Sequence, residues 1–572
     1  MKPITSEINN IYIQIKKKHA SKDKSSPLHS KLKAAQKLLR RAQRQLAAKK
    51  RKENHAAIID ACHKKDRTGF YKLVNKQRNS RSSPSQVAFG EHTGDTPANS
   101  WGNYFEYLAT PGDDAVYDAN HMKMIELNNL LQKLTATGKT VPPVSKSDIR
   151  KLICSLKRGK APDIYGITSE HIKYADNQIE EVLCIISNKC IASGKLPDCF
   201  KLGSVTPVPK KAKSPKDPNS YRRITITAIV GKIVEMHMVN HTRPILDQQQ
   251  SRLQFGFSHG CSPVMAALIL SEVIANAKDN DEELIITLLD TSKAFDVVSH
   301  PIMLNALHQQ GIHGNLWQLY SNMYSGIKSA VKWNNDTSLP FPELQGIRQG
   351  GTSSADSYKA GRNKILNLLD KRPSHKIGQI SAGAVMVADD IALCSSNLLD
   401  LQCAINATSI DANRDRFKFN TTKSKILAIN CKEPPELKLN NQLLSVSTKE
   451  PHLGIIRNMS GSNMDTVKER IKSARRTAYS LMGAGLHGLN GVGPAVSMSM
   501  YNSYVIPVLM YGLEALVLTT AETEAIETYH RTTLRQLQHL PKSTAIPAIY
   551  LLAGALPAEG LCDTRVLLLF GH

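Results

Sequence analysis

The 572-residue chain is poor in aromatic residues, at 5%, with only three tryptophans. Its ten cysteines, Cys62, Cys154, Cys184, Cys190, Cys199, Cys261, Cys394, Cys403, Cys431 and Cys562, form no C-x-x-C pair. That spacing excludes a zinc knuckle and argues against a disulfide framework. No apolar run is long enough to cross a membrane. The most apolar stretch, Tyr504 to Leu518, is interrupted by Pro507 and Glu514. The opening MKPITSEINN lacks an apolar h-region, so the chain is expected to be nuclear or cytoplasmic and not secreted. Repeats and low-complexity tracts are missing too, and 41% hydrophobic content at this length excludes wholesale disorder.

Positive charge is abundant. The net charge is +25, and residues 1–80 alone hold 22 Lys and Arg against 5 Asp and Glu. A polyanion is the expected partner, and nucleic acid is the commonest one. A helix is predicted from Ser30 to His55, with Leu32, Ala35, Leu38, Leu39 and Ala42 on one face. Its other surfaces carry Lys31, Lys37, Arg40, Arg41 and Arg44, followed by the basic run Lys49, Lys50, Arg51 and Lys52, a nuclear-import pattern. A solvated basic helix without a specific partner is the alternative. Residues 79–100 read as a linker, and helices are predicted for Asp118–Leu134 and for 145–158, with Ser145 as cap. Beyond residue 460, Val467, Ile471, Ala474, Ala478 and Leu481 mark one helical face with Lys472, Arg475 and Arg476 off it. Tyr479 is expected to pack in the core. The coarse architecture is α+β, a mixed central body with helical ends.

Strands are predicted at Ser204–Val208, Leu284–Leu289, Ala384–Val387 and Ile391–Cys394. The second delivers Asp290 at its tip. The last two flank a tight turn, Ala388-Asp389-Asp390. If these strands neighbour each other, Asp290 and Asp389 converge, and converging carboxylates repel unless a cation neutralises them. Hard divalent ions suit oxygen ligands and substrate phosphates. An Asp-Asp turn alone is more often structural.

The ordered company of that turn resembles the reverse transcriptase of non-LTR (LINE-type) retrotransposons over roughly residues 145–460. The run comprises KRGKAPDIYGITSEHIK (157–173), SVTPVPKKAKSPKDPNSYRRITITAIVGKIVE (204–235), QFGFSHGCSP (254–263) and LLDTSKAFDVVSH (288–300). LQGIRQGGTSS (344–354), VADD (387–390), FNTTKSKIL (419–427) and HLGI (452–455) follow. The resemblance implies a right-hand polymerase of fingers (141–280), palm (281–455) and helical thumb (456–572), after a basic helical extension (1–78) and a linker with a helical segment (79–140). It implies RNA-directed DNA synthesis with RNA template, DNA primer and deoxynucleoside triphosphates. Two Mg²⁺ would be held by Asp290 and Asp389 with Asp390 in support, and Mn²⁺ is a possible substitute.

The same resemblance places Arg222, with Lys210 or Lys211, on the triphosphate. Phe295 would lie under the incoming sugar, where core packing is an equal alternative. Gln349 and Gly350 would sit beneath the nucleotide and template, and Lys423 at the departing pyrophosphate. Asp296 is expected to brace its turn. Basic side chains, Arg475 included, would hold the duplex backbone. Val387 stands where the family has an aromatic, Arg223 replaces a proline, and residues 163–166, 351–354 and Ser424 depart from the pattern. These departures keep a second reading open, a catalytically silent remnant that binds nucleic acid non-specifically. An intron-type maturase would show an RNA-splicing domain after the thumb. No nuclease is expected before residue 145, which suggests a polymerase-bearing piece of a longer reading frame.

Overall fold

The computed structural model describes residues 2–17, 27–78, 87–112, 114–136, 141–210, 213–372, 375–378, 380–488 and 491–571. These fall into two units, one spanning residues 82–463 and one joining the N-terminal helices to the residues from Met464 onward. The elements are mixed helix and strand, as the α+β reading requires.

In the larger unit, β1 (Leu202–Pro209) pairs antiparallel with β2 (Tyr221–Ile226). β3 (Leu284–Leu289) follows, then β4 (Lys328–Trp333), which pairs parallel with β1. β5 (Ala384–Val387), β6 (Asp390–Ser395), β7 (Lys425–Ile429) and β8 (Ser445–Val446) complete a second sheet of order β8-β7-β3-β6-β5. β3 lies at its centre, antiparallel to both β6 and β7. Its sequence, apolar but for the buried Thr287, follows from burial on both faces. Ile285 and Leu289 join one core cluster with Ile391, Leu393 and Ile426. Leu284 and Ile286 join another with Ala392, Leu427 and helix Pro263–Asp279. Predicted β3 and β5 have the observed limits. β6 begins one residue earlier and ends one later than expected, because Asp390 pairs with Val387 and Ser395 with Ile285.

Ser145 caps helix Lys146–Ser155 in a reciprocal capping box with Asp148. Asp118 likewise caps helix Ala119–Leu134. Asp163, in the first family-like box, is buried. Its carboxylate accepts from the backbone N–H of Tyr165, Ile167 and Ile229, tying that loop to the start of helix Ile229–Gln249.

His452 closes the hairpin Lys449–His452/Ile455–Asn458 and is buried. Burial, reinforced by Arg457, pushes its imidazole down to about 4. The native chain therefore keeps His452 neutral while an unfolded chain protonates it. Stability present above about pH 6.5 drains away as the pH falls toward 4. His452→Gln is expected to flatten this part of the pH profile, read as urea midpoints at pH 7 and pH 4.5. An unchanged loss between those values would show that His452 is not the titrating group.

In the smaller unit, helix Pro27–His63 runs eight residues past its predicted end. Leu32 and Ala35 pack against Ile8, Ile11 and Ile15 of helix Lys2–Lys17, with Leu39 alongside. Leu38 is 55% exposed and is not on the buried face as expected, because the partner helix covers only the 32–35–39 line. Arg40, Arg41, Arg44 and Lys49–Lys52 are exposed. Ile58, Phe70 and Val74 form one core with Val467, Ala474, Leu481, Tyr501, Leu509, Ile526 and Leu534. Helices from 1–78 and from 456–572, expected as separate segments, share one apolar interior. Tyr479 is 63% exposed and not core, since the packed side of its helix is taken by Val467, Ala474 and Leu481.

Candidate active site

The β-ladder fixes the centre of the site. Ile391 faces Leu289 across β6 and β3, so the next residues outward, Asp390 and Asp290, emerge at the same edge. Asp389 sits in the two-residue turn between β5 and β6. Thr291 Oγ1 donates to the Asp389 carbonyl at 3.2 Å, linking the turn directly to the residue after Asp290. The three carboxylates feel one another. Burial first, then Asp389 and Asp290, pushes Asp390 up to about 6. Burial, with repulsion from Asp290, also raises Asp389.

Cations surround this edge. Lys423 Nζ lies 3.0 Å from Asp290 Oδ2. Its own loop is pinned by Asn420, whose carboxamide oxygen accepts from the backbone N–H of Thr422 and Lys423. Ser424 Oγ accepts from the Asp290 N–H at 3.2 Å, so serine supplies the hydroxyl that the family's threonine would offer. Arg222 is exposed on β2 and lowers the Asp389 carboxyl, partly offsetting its burial. Lys210 is half-buried and donates to the Asn219 carbonyl at 3.0 Å. Burial, then Lys213, Arg222 and Lys423, pushes its ammonium down, so these cations share one electrostatic neighbourhood. Lys211 lies outside the described residues. A cleft of about 110 Å³ opens at Asp290, Asp390 and Lys423, with His452 and Leu453 on its far wall.

Phe295 stacks on Tyr358 at 4.7 Å with nearly parallel rings and is half-buried beside the core. Asp296 braces its turn through its N–H to the Lys293 carbonyl, and its carboxylate lies 3.5 Å from buried Arg223. Gln349 adjoins β2, its carbonyl accepting from Thr225 N–H at 2.9 Å. Gly350 has φ of +133°, and a Cβ there would meet the Thr225 carbonyl oxygen at 2.3 Å. The close approach that requires glycine is thus to β2 itself. Arg475 lies in the other unit, exposed, with its guanidinium over the Tyr529 ring.

Two further residues stand near the carboxylates. Arg362 is buried, sits 3.4 Å from the Phe417 ring centre and lowers Asp389. Gln254 contacts the Ala388 turn through its side chain. Gln254 opens the 254–263 box, whereas Arg362, among Lys359, Gly361, Asn363 and Lys364, has nothing in the sequence to single it out.

An all-oxygen, mutually repelling carboxylate set suits a hard divalent cation. Among the described residues no three acidic, imidazole or thiol side chains close around an ion unaided. An ion held here would complete its shell with water or phosphate oxygen.

Residues 208–457 match the family described as reverse transcriptase (RNA-dependent DNA polymerase). The chain carries a reverse transcriptase domain. Reverse transcriptases use divalent metal ions, consistent with the donor chemistry above. The domain is similar to the RNA-directed DNA polymerase from mobile element jockey of Drosophila funebris, 24% identical over 65% of this chain and 41% of that one. It is 30% identical to the putative 115 kDa protein in type-1 retrotransposable element R1DM of Drosophila melanogaster, over 38% of this chain and 21% of the relative. Both relatives are proteins of retrotransposable or mobile elements, the kind of kin the ordered boxes implied. The chain spans less than half the length of either relative. Among solved structures, apo telomerase from Candida tropicalis aligns over 84% of this chain and 86% of that one, at 12% identity and a TM-score of 0.36. The family match begins at residue 208, so the 157–173 box lies outside it.

Proposed function

We propose that this chain extends a DNA primer on an RNA template by metal-assisted nucleotidyl transfer, with Asp290 and Asp389 as the residues that would hold the ions and Asp390 supporting them. The observation that supports this most is the β3–β6 register, which sets Asp290 beside Asp390 with Asp389 in the adjoining turn. Mg²⁺ held by these carboxylates would supply activation of the attacking hydroxyl and charge neutralisation at the leaving pyrophosphate.

The protein's own residues do the positioning. Arg222 presents a guanidinium fork from an exposed strand face, suited to triphosphate oxygens. Lys210 adds a second cation beside it. Lys423 is paired with Asp290 in this structure, and in the reaction it is free to turn toward developing negative charge on the leaving group. Phe295, held flat against Tyr358, presents a rigid edge beneath the sugar that disfavours a 2′-hydroxyl. Gln349 and Gly350 set the backbone that underlies the base. In this reading residues 141–280 act as fingers, 281–455 as palm and 456–572 as thumb. The exposed cations Arg40, Arg41, Arg44, Lys49, Lys50, Arg51, Lys52 and Arg475 grip the nucleic-acid backbone without reading sequence.

Purified protein is expected to extend a DNA primer on an RNA template with Mg²⁺ or Mn²⁺, and Asp389→Asn is expected to abolish extension. Equal signal from the variant would mark a contaminant and remove the catalytic claim. Salt-sensitive RNA binding without extension would instead identify a silent, nucleic-acid-binding protein.

A further inference from the structure

The turn that carries Asp389 is held in a costly backbone state. Ala388 precedes it with φ of +60°, the left-handed region that a Cβ disfavours. At the first position of a two-residue hairpin turn this conformation is normally met by glycine. An alanine there costs on the order of 1–3 kcal/mol and persists only when its surroundings enforce it.

The enforcing groups come from the 253–256 segment, distant in sequence. Gln254 is 2% exposed. Its Oε1 accepts from Ala388 N–H at 2.9 Å and from Gly256 N–H at 2.8 Å. Its Nε2 lies 3.5 Å from the Ala388 carbonyl oxygen. The backbone beside it docks on β5, with Met386 N–H donating to the Leu253 carbonyl at 2.9 Å and Phe255 N–H to the Met386 carbonyl at 2.8 Å. Gly256 closes the contact. A Cβ there would stand 2.3 Å from Ala388 N and 2.9 Å from its Cα. None of these contacts involves the Asp389 carboxylate.

We propose that Gln254 is a positioning residue: it clamps Ala388 in its left-handed conformation and so aims the Asp389 carboxylate at the metal. The proposal rests on the polymerase reading above. A carboxamide is the side chain this task needs. It accepts from two N–H groups and offers a donor to the carbonyl, and it brings no charge next to two carboxylates. Glutamate would keep the acceptor but add a buried negative charge and lose the donor. Methionine matches the volume and leaves both N–H groups without their partner.

The test uses the full chain as wild type, Gln254→Met, Asp389→Asn and the double variant Gln254→Met/Ala388→Gly. Glycine adopts the turn conformation without help, so it substitutes for the clamp without restoring its hydrogen bonds. Three quantities are read: Mn²⁺ binding to the protein alone by electron paramagnetic resonance, kcat and KM for primer extension, and the melting temperature. Gln254→Met is expected to weaken Mn²⁺ binding and lower kcat by about tenfold to a hundredfold, with KM for the nucleotide little changed, at temperatures where it remains folded. The double variant is expected to recover most of both.

Three results would overturn the proposal. One is a Gln254→Met protein that binds Mn²⁺ and turns over like wild type while Asp389→Asn does not; the polymerase reading then survives. Another is a loss that tracks melting temperature and that the added glycine fails to restore. If wild type neither binds Mn²⁺ through Asp389 nor extends primers, the polymerase reading falls and takes the clamp with it.

Discussion

Asp290→Asn is expected to reduce templated extension by at least about a thousandfold while leaving the fold as stable as before, or more so. Loss of one essential electrostatic group at a reacting centre typically costs two to three orders of magnitude. Here the missing oxygen charge also serves as a proposed metal ligand, which puts the effect at or beyond the upper end. Stability moves the other way. Asp290 contributes to the repulsion that raises Asp389 and pushes Asp390 up to about 6, so removing its charge relieves both. The substitution also removes the attraction between Asp290 and Lys423, but that lysine side chain is half-exposed and such an ion pair contributes little in solvent. The measurement is extension rate and thermal melting on the same preparation, with no added divalent ion in the melt. Activity that falls in step with a lower melting temperature would show that Asp290 is structural.

Arg223→Ala is expected to destabilise the larger unit by about 3 kcal/mol, the lower end of the cost of leaving a buried charge without its partner, since Asp296 is only part-buried. Arg223 is 2% exposed and lies 3.5 Å from Asp296, while Glu343 and Arg348 form a second buried pair at the same separation. Burial favours a neutral Glu343, but Arg348 and Arg223 outweigh it and hold its carboxyl below the ordinary value. Alanine therefore strands Asp296 and weakens the support of Glu343 together. The double variant Arg223→Leu/Asp296→Asn, which removes both charges, is expected to recover part of the loss. Urea midpoints with a common slope decide the matter. A shift below about 1 kcal/mol, the range of an exposed pair, would mean that this pair is not closed in solution.

The arginine at 223 shows how a departure from a family pattern becomes intelligible. In the sequence, Arg223 stands where the resemblance leads to a proline. In the structure β2 alternates its faces, so Arg222 is exposed and Arg223 turns inward to Asp296. An Asp-Asp turn alone is more often structural, so it is the ordered boxes around Asp290 and Asp389 that single them out, while β3 and β5 have the limits their composition predicts. β4 was not legible. Lys328-Ser-Ala-Val-Lys-Trp has mixed character, and its strand form comes from pairing with β1 and the short strand Phe341–Pro342. Gln254 is visible as the first residue of the 254–263 box, but its contact with the turn exists only once residue 388 folds against it. Tyr479 misled for a related reason: helical periodicity tells which residues share a side, but not how wide a band the neighbours cover.

The shared interior of the first and last helices has a consequence for how the molecule is made. Arg78 Nε donates to Ser480 Oγ across 402 residues of chain. A ribosome therefore releases the lysine- and arginine-rich leading helices long before the segment that completes their apolar packing exists. The 82–463 unit can condense during that interval, while the leading helices wait for the apolar partners that complete their interior.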